Sequence, residues 1–282
     1  MAGLPSGWRG LIPRHGPGWV PNQHGAWAMV IAPFVLGMLA AGFDPVHVPL
    51  AVFWLGGYFA FFATSLWLKS RRRAKYFPPV RAYGLLTTVA GGLVALWRPD
   101  LLVWAPGFAV PLAVGLWAAA RRRERDLLVG LTTVLGSSWM ALVAYAAGAG
   151  PGDGGPASLS VAAAGRPSLL AAVQAAYFAG TVFCVKSVIR ERGNVAFFRL
   201  SIAYHLACVV VLAVWAFGLP ASASAPVEST RWWLVVVFAL LAARAAAVWL
   251  LDRQGRRLSP AQIGLGELLA TLVVGIVSLV VI

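Results

Sequence analysis

Charge is scarce in this sequence, and negative charge is scarcer: 11% of the 282 residues are charged, with nine Asp and Glu against 23 Lys and Arg. A soluble domain carries about 25% charged residues. Less than half of that, with 60% hydrophobic residues and a mean hydropathy of +0.79, excludes an ordinary soluble domain and leaves a membrane protein. Cysteine is nearly absent too. Cys184 and Cys208 lie inside apolar segments, with neither CxxC spacing nor a companion His cluster. That argues against a disulfide framework and a zinc site, and leaves buried, inert thiols. No nucleotide-binding glycine loop, nucleophile triad or redox motif is visible. Residues 1–23 hold Arg9, Arg14 and prolines broken by glycines, without a continuous apolar core or a small-residue cleavage site. They read as a cytosolic tail and not as a secretory signal.

What the chain does have is apolar runs. A spanning helix needs about 20 mainly apolar residues. Nine segments qualify: Gly25 to Gly42, Val46 to Leu68, Ala82 to Trp97, Leu101 to Ala120, Leu127 to Ala147, Ser168 to Ile189, Phe198 to Phe217, Arg231 to Leu251 and Gln262 to Ile282. The third is the shortest, and its Gly91-Gly92 pair permits close packing. The expected fold is an all-α polytopic membrane bundle, a single domain over residues 24–282. Gly148 to Gly165 and Pro220 to Glu228, rich in Gly, Ala, Ser and Pro, read as flexible outer linkers. Trp97, Trp104, Trp117, Trp232, Trp233 and Trp249 fall near segment ends, as interfacial anchors do.

The net charge of +14 does not indicate nucleic acid, because the cations sit in short runs between apolar segments. Their placement tests the helix count instead. Nineteen of the 23 fall in the N-terminal tail or after the second, fourth, sixth and eighth segments; Arg98, Arg166 and Arg231 fall on the other side, and Arg244 lies within a segment. The positive-inside rule then puts the N-terminus in the cytosol and the C-terminus outside. The expected partners are the bilayer and its anionic headgroups.

Two stretches echo each other at a shift of 117 positions. Thr64, Lys69, Ser70 and Arg73 recur as Thr181, Lys186, Ser187 and Arg190, after Phe61 and Phe178. Copies closing the second and sixth segments suggest an internal repeat, which in membrane proteins often frames a binding site. If these segments are neighbours, Lys69, Arg73, Lys186, Arg190, Arg192 and Asn194 converge into a cluster suited to phosphate, diphosphate or carboxylate. The plain alternative is a set of basic helix caps facing lipid headgroups. Ionisable groups inside the membrane are costly and therefore site candidates. Arg244 and Glu267 reach similar depth on segments joined by a short turn, so an Arg244–Glu267 ion pair is expected. His205 reads as a helix–helix hydrogen-bond partner.

A second conspicuous stretch is Asn22-Gln-His-Gly-Ala-Trp-Ala-Met29, followed by Pro33-Phe34. Asn22 or Gln23 can cap the helix start, and His24 sits at the interface as a cap or as a ligand-binding group. Pro33 is expected to kink the helix. This stretch resembles the opening signature of the YwiC-like family of bacterial membrane proteins, as does the Lys69-Ser70 segment; the likeness covers the first half of the chain best. The resemblance implies the bacterial cytoplasmic membrane, and the family brings no established activity. A more distant likeness is to the layout of the UbiA-type prenyltransferases, with nine helices and polar motifs after helices two and six. There, two Asp-rich motifs bind magnesium and the prenyl diphosphate. Here the same places hold Lys69 to Arg73 and Lys186 to Arg192, with Glu191 the one acid, so magnesium is not expected.

Three readings follow. The first binds or moves a small anionic or amphiphilic ligand at a cytosolic pocket lined by His24 and the Lys-Ser motifs. The second is a divergent UbiA-like transferase acting on an isoprenoid diphosphate or lipid, with an apolar tunnel into the bilayer. The third is an accessory subunit with a solid core, to which the charge run Arg121 to Asp126 belongs as a solvated loop.

Overall fold

The apolar runs become nine α-helices in the computed structural model, which describes residues 18–21, 24–150, 165–218, 228–256 and 259–282, with no strand among them. They are α1 (His24–Ala41), α2 (His47–Lys69), α3 (Phe77–Trp97), α4 (Pro106–Arg121), α5 (Leu127–Ala149), α6 (Arg166–Ile189), α7 (Val195–Gly218), α8 (Glu228–Arg253) and α9 (Pro260–Val281). Seven of these are long and apolar enough to cross a membrane; α1 and α4 are shorter. The protein is a multi-pass membrane protein. Most of the tail and of both expected linkers lies outside the described residues.

Local chemistry sets the helix ends. Gly42, at φ 100°, ends α1 in a left-handed turn that a side chain would strain, and its N–H caps the Met38 carbonyl. Ser259 and Gln262 form a reciprocal capping box at the start of α9, with Pro260 at its first position. The third segment runs longer than its apolar stretch, because Pro78 and Pro79 occupy the first turn of α3, where a missing N–H costs nothing. The fourth segment splits. A short 3-10 helix over Pro99–Trp104 precedes α4, which starts afresh at Pro106 and carries Pro111 within it. Trp104 is accordingly not an interfacial anchor: it is 3% exposed and packs edge-on against Trp139, whose Nε1 donates to the Trp104 carbonyl at 3.0 Å.

Burial sorts the helices. More than half of the spanning stretch is buried in α5 and in α6, against far less in α3 and α7. Thus α5 and α6 form the centre, while α3 and α7 turn Leu85, Val89, Leu93, Val210 and Val214 outward. One core joins α1 through α5 around Phe34, Leu50, Val94 and Met140. A second joins α6 through α9 around Phe178, Leu234, Phe238 and Val274, with Val134 of α5 and Met29 of α1 packed into it. Close approach of α1 and α5 rests on Gly37, where a Cβ would strike the Ala141 carbonyl.

The connections divide between two ends. At the basic end, Lys69 pairs with Glu124, Arg122 donates to the Lys69 carbonyl, Lys186 donates to the Arg125 carbonyl and Arg192 pairs with Asp252. These contacts gather the connections after α2, α4, α6 and α8. At the opposite end, His47 is 1% exposed and bonds the Ala144 carbonyl through Nε2 at 2.8 Å. Arg98, 6% exposed, donates to the carbonyls of Ala146 and Ala147 and pairs with Asp100.

Candidate functional site

The two Lys-Ser motifs are alike in local geometry and meet at one connection. In each, the serine hydroxyl turns back onto its own helix: Ser70 donates to the Trp67 carbonyl and Ser187 to the Cys184 carbonyl. Such back-bonding satisfies the hydroxyl within the helix and takes it away from a ligand. Each lysine reaches the α4–α5 connection from its own side. The Lys69 ammonium lies 2.5 Å from Glu124, and the Lys186 ammonium donates to the Arg125 carbonyl at 3.0 Å. The run Arg121 to Asp126 is therefore the bridge between the motifs. It is held by Arg123–Asp126 pairing and by the left-handed turn at Arg122.

The other expected face residues scatter around this bridge. Arg73 is exposed. Asn194 caps α7, its side-chain oxygen accepting from the Phe197 N–H, and its amide donates to Glu191. Arg190 lies near Arg125, and partial desolvation together with that like charge lowers its pKa. Asn22 lies outside the described residues; His24 opens α1, and its side chain is likewise outside them. Lys69, Arg73, Lys186 and Arg190 are all cationic, and no group of three or more His, Cys, Asp or Glu gathers among the described residues. These residues do not fit a divalent cation.

The densest polar constellation lies inside the membrane-spanning part. Glu267, seven residues into α9, forms an ion pair with Arg244 of α8. At a rise of about 1.5 Å per residue, that places the carboxylate roughly 10 Å along α9 from its start. Its other oxygen accepts from the Thr181 hydroxyl at 2.8 Å. Its main-chain carbonyl accepts from Tyr177 at 2.9 Å and from Thr271 at 2.8 Å. Thr181 and Tyr177 are four residues apart, so one face of α6 presents both.

These groups border a narrow crevice between α6, α7, α8 and α9. From α7 come Tyr204, Cys208 and His205, which is 7% exposed. His205 Nδ1 bonds the Ser201 carbonyl at 2.7 Å, so that nitrogen donates and Nε2 is left as an acceptor against Gly180. The cavity volume is about 10 Å³, the room of about one water. Both partners of the ion pair are half-buried, the Glu267 side chain being 13% exposed and the Arg244 side chain 29%. Tyr177 and Thr181 supply hydrogen bonds that offset the cost of holding charge there.

Sequence reasoning missed Tyr177 and Thr271 as polar partners and met Thr181 only as the head of the repeat. The signal available was the i, i+4 spacing of Tyr177 with Thr181 and of Glu267 with Thr271, each on a single helical face.

A family model described as YwiC-like protein matches residues 20–145. The chain is 32% identical over 220 residues to the uncharacterised protein YwiC of Bacillus subtilis (strain 168), an alignment covering 76% of this chain and 84% of that relative. No solved structure matches the chain.

Proposed function

This chain belongs to the YwiC-like family, and we propose that it is a protein of the bacterial cytoplasmic membrane that binds and moves a small anion. The observation that supports this best is Arg244, a guanidinium inside a spanning helix that borders a crevice shared by α6, α7, α8 and α9. Intramembrane cations of this kind mark ion pathways, and arginine holds oxyanions through paired N–H groups. Tyr177 and Thr181 place hydroxyls in the same crevice, where they hold Glu267.

The basic end supplies the entrance. Arg71, Arg72, Arg73, Arg190 and Arg192 are exposed there, and like charges around a mouth raise the local anion concentration. The positive-inside rule makes this end cytosolic, with the N-terminus inside and the C-terminus outside. Anionic headgroups occupy the same rim. The cavity's size favours a compact anion over an amphiphile or a prenyl chain.

The test is thermal stability of purified protein against chloride, nitrate, acetate, phosphate and diphosphate, from about pH 5 to 8. A bound anion raises stability with concentration in the wild type. The double variant Arg244→Leu, Glu267→Leu, which removes both charges together, loses that response. Absence of any anion-specific shift in the wild type overturns the proposal.

A further inference from the structure

The geometry points to Glu267 as a proton carrier that hands Arg244 to the anion, so that anion binding and proton uptake are one event. This inference rests on the anion reading of the same crevice. It begins from charge balance. With Arg244 paired to Glu267 the site is neutral, and both groups lie in a spanning part where net charge is costly. An anion entering alone would leave the site with one negative charge too many. An anion entering with a proton leaves it neutral: the proton goes to a Glu267 carboxylate oxygen, its ion pair with Arg244 breaks, and the guanidinium pairs with the anion.

The surroundings permit that exchange. A protonated Glu267 keeps the Thr181 hydroxyl at 2.8 Å as a hydrogen-bond partner, with Tyr177 at 3.4 Å, so neither state strands the carboxyl group. Arg244 is the one cation lining the crevice among the described residues. The titratable groups facing it are Tyr177 and Cys184 from α6, Tyr204, His205 and Cys208 from α7, and Glu267 from α9. After His24, α1 carries no titratable residue. Of these, Glu267 touches Arg244, whereas His205 commits one nitrogen to Ser201 and turns the other to Gly180. Glu267 is thus the group whose protonation frees the guanidinium.

The experiment is calorimetric titration of the purified full chain with chloride, which matches the water-sized crevice and takes up no proton in this range, from about pH 5 to 8 in buffers of different ionisation heat. One proton per anion makes chloride affinity rise about tenfold for each unit fall in pH above the site's pKa. Buffer-dependent heat then shows close to one proton taken up. Glu267→Gln, a permanently neutral mimic, binds chloride with a flat pH profile, and His205→Gln keeps the wild-type slope. Chloride binding without proton uptake in the wild type overturns this inference and leaves the anion reading standing. A slope that survives in Glu267→Gln, or vanishes in His205→Gln, also overturns it. No chloride binding by wild type or by Glu267→Gln overturns both. Should Glu267→Gln not fold, the wild-type proton count and the His205→Gln slope still decide.

Discussion

Arg98 donates from Nη1 to the carbonyl oxygen of Ala147 at 2.7 Å, closing the C-terminal end of α5 with a cation from the far end of α3. Nη2 reaches the Ala146 carbonyl at 3.0 Å and Asp100 at 2.7 Å. The last carbonyls of a helix have no partner of their own, and a cation there also meets the negative end of the helix dipole. This side chain is therefore a structural clasp. Arg98→Leu leaves buried carbonyls unpaired, a loss of about 1–3 kcal/mol, read as a lower melting temperature in detergent.

The same clasp predicts a pH dependence. The hydrogen bond from Arg98 holds the Asp100 carboxyl below its ordinary pKa of 3.8, outside the spanning segments. A depressed folded pKa contributes stability that is fully present above the unfolded value and is lost as pH falls through the folded one. The melting-temperature gap between wild type and Asp100→Asn should hold steady at neutral pH and shrink below about pH 4. A gap that ignores acid removes Asp100 from the account.

At the basic end, the Lys69–Glu124 pair should contribute little on its own. Its side chains are 36% and 27% exposed, and pairs of this kind contribute about 0–1 kcal/mol. Lys69→Glu should nevertheless destabilise by like-charge repulsion with Glu124, and adding Glu124→Lys should restore most of the loss. Failure of the double exchange to recover stability would mean Lys69 acts through something other than this bridge.

Packing of α1 on α5 makes a sharper claim. Gly37→Ala puts a methyl group into the Ala141 carbonyl and against the Ala144 side chain, where backbone must move. Overpacking of this type costs about 1–3 kcal/mol. Gly264→Ala is the control: nothing lies within 4 Å of the added carbon. Melting curves should show a clear fall for the first and no fall for the second.

Much of this architecture was legible beforehand because the bilayer imposes it. Unbroken apolar runs and alternating basic connections placed nine helices within a few residues of where they lie. The exceptions have local causes. The 3-10 turn over Pro99–Trp104 and the fresh start at Pro106 shortened α4, which hydropathy alone cannot register, and Trp104 is buried because that turn folds it onto Trp139. The site was less legible. Arg244 and Glu267 stood out by their charge, but Tyr177, Thr181 and Thr271 are ordinary residues until α6 and α9 are seen side by side. The Lys-Ser repeat was plain in the sequence, while its meeting point on the α4–α5 connection depends on tertiary packing.

Gln174 supplies a prediction of opposite sign. It is fully buried in α6, and neither amide atom has a hydrogen-bond partner among the described residues. An unpartnered buried amide costs about 1–3 kcal/mol, whereas an apolar side chain of similar shape costs little. Gln174→Met should therefore melt at or above the wild-type temperature. A marked fall would mean that the amide is hydrogen-bonded in solution, by water or by a ligand.

Orientation is checked by thiol accessibility in intact cells. Arg121 ends α4 at the basic end, and Phe43, 68% exposed, lies in the α1–α2 connection at the other. The natural thiols sit within spanning helices, Cys184 being buried and Cys208 half-buried, so a Cys184→Ala, Cys208→Ala background removes them at small cost. In that background an impermeant maleimide should label Phe43→Cys in intact cells and reach Arg121→Cys only after lysis. The cations, concentrated at the Arg121 end, drive this expectation through the positive-inside rule. The reverse pattern would turn the protein over in the membrane. The basic end would then face outward, and the proposed anion would be captured from the exterior instead of the cytosol.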